Sequence, residues 1–428
     1  MAQQIRSPRT LEGVITVPGD KSISHRALIF NAMATGKAHL SGLSTGSDVR
    51  STIRCLRLLG TNIETIPGTN RVFIEGRKGC FDESRDILDC GNSGTTMRLM
   101  AGLVAGQPIL SVLTGDESLR SRPMRRIAKP LEEMGATVIA SNDGNLPPLV
   151  IKGGCLHGIE YTLPIASAQV KSSILLAGLK AEGPTVLHQP ALSRDHTERM
   201  FESMGVSVRQ EGMDLIVCPG NLHAVDITIP GDISSAAFWL VGAICHPNAE
   251  IRLNNVGVNP GRTGILEILE RMGANILVTN ERCEGGEPVA DLIARSGSLD
   301  GVEIDGDLIP RVLDELPILA LAASFAKGIT IVKGAQELRK KESDRITTTV
   351  KQLSRLGVLI EERNDGFMIK GSGKLSGGQV SSGGDHRLAM CLGIAGLLSS
   401  DQITIEGDDA AVVSYPEFWE HLAVLSKD

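Results

Sequence analysis

Val17-Pro-Gly-Asp-Lys-Ser-Ile-Ser-His-Arg-Ala27 has a counterpart in Ile229-Pro-Gly-Asp-Ile-Ser-Ser-Ala-Ala-Phe238, about half the chain away. Each is a Pro-Gly-Asp turn leading into a helix-forming run. Leu131-Glu-Glu-Met-Gly135 and Leu353-Ser-Arg-Leu-Gly357 repeat at a similar offset. A shorter period runs inside each half. Helix-like segments close on an apolar residue and a glycine at Leu59-Gly60, Met134-Gly135, Met204-Gly205, Met272-Gly273 and Leu356-Gly357. Each is followed by a β-rich stretch such as Ala136-Thr-Val-Ile139. Glycine just past a helix end, with a strand after it, is αβ-loop chemistry. The spacing of roughly 70 residues predicts six βα-containing units, the last ending with the chain. The expected fold class is α/β, with two homologous globular domains of three units each. Their expected bounds are 18-228 and 229-428, the second completed by residues 1-17, with a crossover near Asp226-Ile-Thr-Ile-Pro230.

Composition narrows the function. The chain has 428 residues, 42% hydrophobic and 22% charged, enough for full cores in two or three domains. Aromatics at 3% offer few stacking platforms for nucleic acid, and a net charge of -7 disfavours nucleic acid and anionic membrane as partners. Any anion site is therefore local. The eight cysteines are scattered, with no Cys-x-x-Cys and no Cys/His cluster. That speaks against structural zinc and fits a reducing compartment. The start, Met1-Ala-Gln-Gln-Ile-Arg6, lacks the apolar core of a signal peptide, and no apolar run approaches a membrane span. A cytoplasmic protein is expected.

The chemistry is carried by polar groups at helix starts. Leu338-Arg-Lys-Lys-Glu-Ser-Asp-Arg-Ile346 places three cations, two carboxylates and a hydroxyl between Lys340 and Arg345. On a helix, Lys341 and Arg345 share a face, and Glu342 can reach Arg345. Alone, such a run reads as a solvated face. Pro18-Gly-Asp-Lys-Ser22 opens a helix with Lys21, Ser22 and Arg26 on its first turns, where free N–H groups and the dipole attract anions. It is not a Walker loop, and alone it reads equally as a capped helix. In Gly91-Asn-Ser-Gly94, glycine permits close approach of a ligand to the backbone, although a simple capping turn has the same pattern. Arg122 precedes Pro123, which fixes a helix start, and a guanidinium there suits carboxylate or phosphate. Ser167 and Gln169 open an apolar helix and either cap it or meet hydroxyls; Ser193 precedes another helix in the same way. Asp314-Glu315 heads the run Leu316 to Phe325, where dipole and N–H groups would anchor a carboxylate. Asp385-His-Arg387 leads into Leu388 to Leu398. In α/β units, ligands sit at helix starts beyond the strands. If the two halves face each other, Lys21, Arg26, Arg122, Lys341, Arg345 and Arg387 line one strongly cationic cleft in an acidic protein.

These motifs, in this order and across nearly the whole chain, resemble the 5-enolpyruvylshikimate-3-phosphate synthase family: Pro-Gly-Asp-Lys-Ser-Ile-Ser-His-Arg (18–26), Gly-Asn-Ser-Gly-Thr (91–95), Arg122-Pro123, Ser167-Ala-Gln169, Lys-Glu-Ser-Asp-Arg (341–345) and Asp-His-Arg (385–387). The resemblance implies two domains, each of three βαβαββ units in an inside-out α/β barrel, with the active site between them. It implies transfer of the enolpyruvyl group of phosphoenolpyruvate to the 5-hydroxyl of shikimate 3-phosphate, without cofactor or metal, in a monomer. Glyphosate occupies the phosphoenolpyruvate site in this family. By the same resemblance, Lys21, Ser22, Arg26, Ser167, Gln169, Ser193, Asp314 and Lys341 hold shikimate 3-phosphate. Lys21, Gly94, Arg122, Gln169, Arg345 and Arg387 hold phosphoenolpyruvate. Asp314 is the expected base, and Glu342 and Lys21 the groups that move the remaining protons.

Three departures stand out. Ala168 replaces a serine found in many relatives, Glu337 replaces an asparagine, and Val412-Val-Ser-Tyr-Pro416 lacks a lysine that many carry before a late Pro. The alternatives are the sister enolpyruvyl transferase acting on UDP-N-acetylglucosamine, and a non-catalytic anion-binding module. The former carries a cysteine in the loop before its Arg-Pro; Gly115 to Arg122 has none.

Overall fold

The computed structural model describes residues 2–427. The chain forms two compact units. One contains Gly19–Ile229 together with Glu284–Glu287, and the other takes in the rest of the described chain.

Within the first unit, one repeat shows the construction. Strand Leu88–Asp89 leads to helix Gly94–Ala105, then to strand Leu110–Thr114, parallel to the first. Helix Arg125–Glu133 follows, and strands Thr137–Ala140 and Leu146–Lys152 close the sheet antiparallel. This is βαβαββ, with the last two strands exchanged in spatial order. The four-stranded sheet holding Glu160–Thr162 has the same order. So does the sheet holding Lys37–Ser41, whose leading strand, Ile227–Thr228, comes from the far end of the segment.

The two helices of each repeat have different roles, and the sequence shows why. The leading helices are α1 (Lys21–Met33), α2 (Gly94–Ala105) and α3 (Ala168–Gly178). Almost every residue after their first turn is buried, polar ones such as Arg26 and Lys171 included, so each is enclosed by protein. The second helices are amphipathic; Arg125–Glu133 buries only Ile127, Ala128, Pro130 and Leu131. At Gly102 a Cβ would lie 2.2 Å from the carbonyl oxygen of Ser173, so α2 and α3 pack backbone to backbone. Leu99 and Leu175 are fully buried there, and truncating either to alanine would cost about 2–5 kcal/mol.

The other unit repeats the scheme around α4 (Ile233–Cys245), α5 (Leu316–Phe325) and a third enclosed helix, His386–Leu398. An outer helix, α6 (Arg345–Arg355), lies between the last two in sequence; His386–Leu398 is α7. The sheets holding Ile329–Val332 and Ala249–Gly257 keep the same order, the latter led by Thr10–Ile15 and extended by Ser426–Lys427. The last sheet has three strands, Ala2–Ile5, Ile403–Glu406 and Gly378–Ser381. The five glycines that mark the repeat, Gly60, Gly135, Gly205, Gly273 and Gly357, all have φ between +84° and +109°, the left-handed turn that ends a helix. Among the described residues, no helix is long and apolar enough to cross a membrane.

Candidate active site

Polar groups collect at the starts of the enclosed helices. In the first unit each of these starts is capped from its own sequence: Asp20 accepts from Ile23 N, Ser93 from Thr96 N and Ser167 from Val170 N. Caps leave the remaining first-turn N–H groups and the positive dipole end available to an anion.

In the first unit, Lys21 Nζ pairs with Asp48 Oδ2 at 2.9 Å. Arg26 is 2% exposed and spans three elements. Its Nε donates to Thr197 Oγ1 at 2.8 Å, Nη2 to Ser172 Oγ at 2.6 Å and Nη1 to the Ser22 carbonyl at 3.0 Å. Burial lowers its pKa to about 10, with Glu198 opposing and Arg194 adding to the shift. It remains a cation at neutral pH. Arg194 Nη1 reaches Ser22 Oγ at 3.4 Å. The Ser193 carbonyl accepts from Lys171 Nζ at 3.4 Å, and Lys171 is itself held by Glu198 Oε1 at 2.6 Å.

The starts of α2 and α3 are joined through Gln169. Its Nε2 donates to Thr95 Oγ1 at 2.8 Å, and its Oε1 accepts from Arg98 Nη1 at 2.5 Å. Two guanidinium groups converge on Gly94: a Cβ there would lie 3.0 Å from Arg98 Nη1 and 3.4 Å from Arg122 Nη1. Arg122 is aimed by Asn92 Oδ1 at 2.8 Å and Ser118 Oγ at 3.3 Å. The expected helix after Pro123 starts at Arg125. Lys21, Ser22, Arg26, Gly94, Arg122, Ser167, Gln169 and Ser193 all lie in this unit, at or just before the starts of its helices.

The second unit carries the acidic counterpart. Asp314 Oδ1 accepts from Lys341 Nζ at 3.2 Å and Arg345 Nη1 at 3.3 Å. Arg345 Nη2 donates to Glu342 Oε2 at 2.6 Å, and its Nε to Asp385 Oδ2 at 2.8 Å. Arg345 is 1% exposed. Burial works against its charge, but Asp385, Glu342 and Asp314 together outweigh that and hold its pKa above that of an ordinary arginine. Asp385 is likewise opposed by burial, yet Arg345 and His386 keep it below the usual carboxylate range. Its other oxygen caps α7, accepting from Arg387 N at 2.9 Å, so Arg387 stands in the first turn as expected.

One expectation is corrected. Lys341 and Arg345 do not share a helix face. A 3-10 turn, Gln336–Lys340, ends at Lys341 in an extended conformation (φ -87°, ψ -158°), and α6 starts only at Arg345, capped by Asp344. The cap wins because Asp344 Oδ1 can accept from Thr347 N at 3.1 Å, which breaks the run before Arg345. Asp314 gathers the two cations instead.

Sequence reasoning passed over Arg98, Asp48, Arg194 and Lys171. Arg98 lies one helical turn after Gly94, a spacing that could have singled it out. Asp48 and Lys171 had no local signal, since each acts through a partner distant in sequence. Among the described residues, no cluster of three or more His, Cys, Asp or Glu side chains is arranged to hold a metal ion.

Over nearly its whole length the chain is similar to proteins of known type. The EPSP synthase (3-phosphoshikimate 1-carboxyvinyltransferase) family matches residues 5–422. The chain is 50% identical to a 3-phosphoshikimate 1-carboxyvinyltransferase of Herpetosiphon aurantiacus, over 100% of both chains. It is 51% identical to that of Roseiflexus castenholzii, over 99% of each. A solved structure of EPSP synthase from Acinetobacter baumannii has 44% sequence identity and a TM-score of 0.89, covering 100% of this chain and 98% of that one. The chain belongs to the EPSP synthase family.

Proposed function

We infer that this chain transfers the enolpyruvyl group of phosphoenolpyruvate to the 5-hydroxyl of shikimate 3-phosphate and releases phosphate, a step of aromatic amino-acid biosynthesis. The family match along residues 5–422 is the observation that carries this reading. We assign shikimate 3-phosphate to Lys21, Ser22, Arg26, Ser167, Gln169, Ser193, Asp314 and Lys341. Phosphoenolpyruvate is assigned to Lys21, Gly94, Arg122, Gln169, Arg345 and Arg387. Support comes from charge: two phosphates and two carboxylates bring about five to six negative charges. Like charges near 4 Å repel by roughly 4 kcal/mol at an effective dielectric of 20, so a comparable set of cations is needed. Gly94 beneath Arg98 and Arg122 is suited to an anion that approaches backbone N–H groups closely.

The chemistry is addition followed by elimination. Asp314 takes the proton of the 5-hydroxyl as its oxygen attacks C2 of phosphoenolpyruvate, while an acid protonates C3 to give a methyl group. The tetrahedral adduct then loses phosphate from C2 and a proton from the methyl, restoring the double bond. Glu342 is assigned to the carbon proton and Lys21 to the leaving phosphate, each within a charged network that orients it. The assigned setting is a cytoplasmic monomer that meets neither nucleic acid nor membrane.

Phosphate release tests the reaction. It should require both substrates; release in the absence of shikimate 3-phosphate, or none with both present, would overturn the reading. Sedimentation analysis at assay concentration tests the monomer.

A further inference from the structure

The second Pro-Gly-Asp turn supplies no residue to the substrate assignment above, yet its polar groups are deeply buried. Asp232 caps α4, its Oδ1 accepting from Ser234 N at 2.9 Å and from Arg262 Nη2 at 2.8 Å. The same Arg262 nitrogen reaches Ser234 Oγ at 2.7 Å, and that hydroxyl donates to Glu315. The backbone carbonyl of Ser234 accepts from Arg387 Nη1 at 3.2 Å. Asp232, Ser234, Arg262, Glu315 and Arg387 are each no more than 6% exposed.

Buried charges are tolerated when paired, and here two guanidinium groups stand with two carboxylates. The pairing is uneven. Arg262 takes Asp232 directly and Glu315 through Ser234. Arg387 has only a neutral carbonyl: among the described residues its guanidinium donates to nothing else, and its Nε is buried without a partner. A neutral acceptor orients the group without cancelling its charge, which leaves that charge for a ligand. The acceptor is fixed in turn by the hydroxyl that ties the start of α4 to Glu315, the residue immediately before α5 and after Asp314.

We propose that Arg262, Ser234 and Glu315 form a positioning bridge that aims Arg387 at phosphoenolpyruvate. The bridge rests on the assignment of Arg387 to that substrate. It gives the second Pro-Gly-Asp turn a task different from the first: the first presents Lys21 and Ser22 to a ligand, and the second presents a carbonyl to an arginine.

The test measures kcat, KM for phosphoenolpyruvate and the thermal midpoint in Ser234→Ala, Arg262→Lys, Arg387→Gln and the double variant Ser234→Ala/Arg387→Gln. Ser234→Ala keeps the carbonyl but frees it from the tie to Arg262 and Glu315, and should raise this KM about tenfold, with kcat within about threefold. Arg262→Lys keeps the charge but moves the nitrogen that serves both Asp232 and Ser234, and should raise it several-fold. The double variant should be no more than about twofold worse than Arg387→Gln, because both changes act on one group. A lowered midpoint with unchanged KM in Ser234→Ala would make the bridge structural and overturn the proposal; should that variant fail to fold, an unchanged KM in Arg262→Lys does the same. Additive losses in the double variant would also overturn it. If Arg387→Gln itself leaves KM unchanged, the substrate assignment fails, and the bridge with it.

Discussion

Glu342 Oε2 accepts from Arg345 Nη2 at 2.6 Å, three positions further along the chain. The same guanidinium reaches Asp314 and Asp385, so removing one carboxylate leaves it compensated by the others. Asp314→Asn and Glu342→Gln should therefore fold and bind both substrates. General acid–base steps typically contribute about 10²–10⁴-fold, so each variant should lose turnover on that scale. Binding is followed by calorimetry and turnover by phosphate release. Turnover close to wild type in either variant removes that residue from the proton transfers.

Gly94 is expected to matter for what it lacks. A Cβ there lies 3.0 Å from Arg98 Nη1 and 3.4 Å from Arg122 Nη1, so both guanidinium ends must give by a few tenths of an ångström. They can give, because they are the far ends of flexible side chains. Gly94→Ala should consequently fold, with a raised KM for phosphoenolpyruvate. Glyphosate is slightly longer than phosphoenolpyruvate and should lose more. The ratio of its inhibition constant to that KM should rise, and an unchanged ratio would count against Gly94 as the contact.

The repeat was readable because two local rules coincide at each unit end. A left-handed glycine stops the helix, and a strand follows, as at Gly135 and Gly273. The helix starts that carry Lys21, Gly94 and Arg387 were readable for a similar reason: caps and first-turn cations are local patterns. What stayed hidden is the pairing across distance. Lys21 with Asp48, Lys171 with Glu198 and Ser234 with Arg262 are each more than twenty residues apart, and no periodicity links them. The break between Lys341 and Arg345 was hidden differently. Helical spacing suited both residues, but the capping carboxylate of Asp344 won over continuation of the helix.

Arg98 supplies a further prediction. Its Nη1 serves Gln169 at 2.5 Å while standing over Gly94. Lysine would keep the charge but could not hold a planar fork between two groups. Arg98→Lys should raise KM for phosphoenolpyruvate about tenfold, equivalent to one charge-assisted hydrogen bond, and change that for shikimate 3-phosphate less. Equal rises in the two constants would indicate that Arg98 supports the region generally, not the Gly94 end.

His25 ties the interior of α1 to α2. Its Nδ1 lies 2.7 Å from Thr52 Oγ1, which is 2.8 Å from Thr96 Oγ1, and Thr96 Oγ1 donates to the capping Ser93 Oγ at 2.8 Å. Burial, then the charges of Lys21 and Arg26, hold the His25 pKa well below its ordinary 6.5. The folded protein keeps this imidazole neutral, whereas the unfolded chain protonates it below about pH 6.5. The unfolded state then binds the extra proton, so the stability associated with His25 is present above pH 6.5 and is lost as pH falls from there toward the folded-state value. The slope is at most about 1.4 kcal/mol per pH unit. His188, raised by Asp214 and then Glu160, works in the opposite sense: its contribution is present below pH 6.5 and fades as pH rises through its folded value. His421, lowered by burial, works with His25. Both remain in a His25→Gln variant, so the difference between the two proteins isolates His25. Urea midpoints measured from pH 7 to pH 5 should fall more steeply in the wild type than in His25→Gln. Parallel curves would mean that His25 takes up no proton on unfolding in this range, contrary to a buried neutral ring.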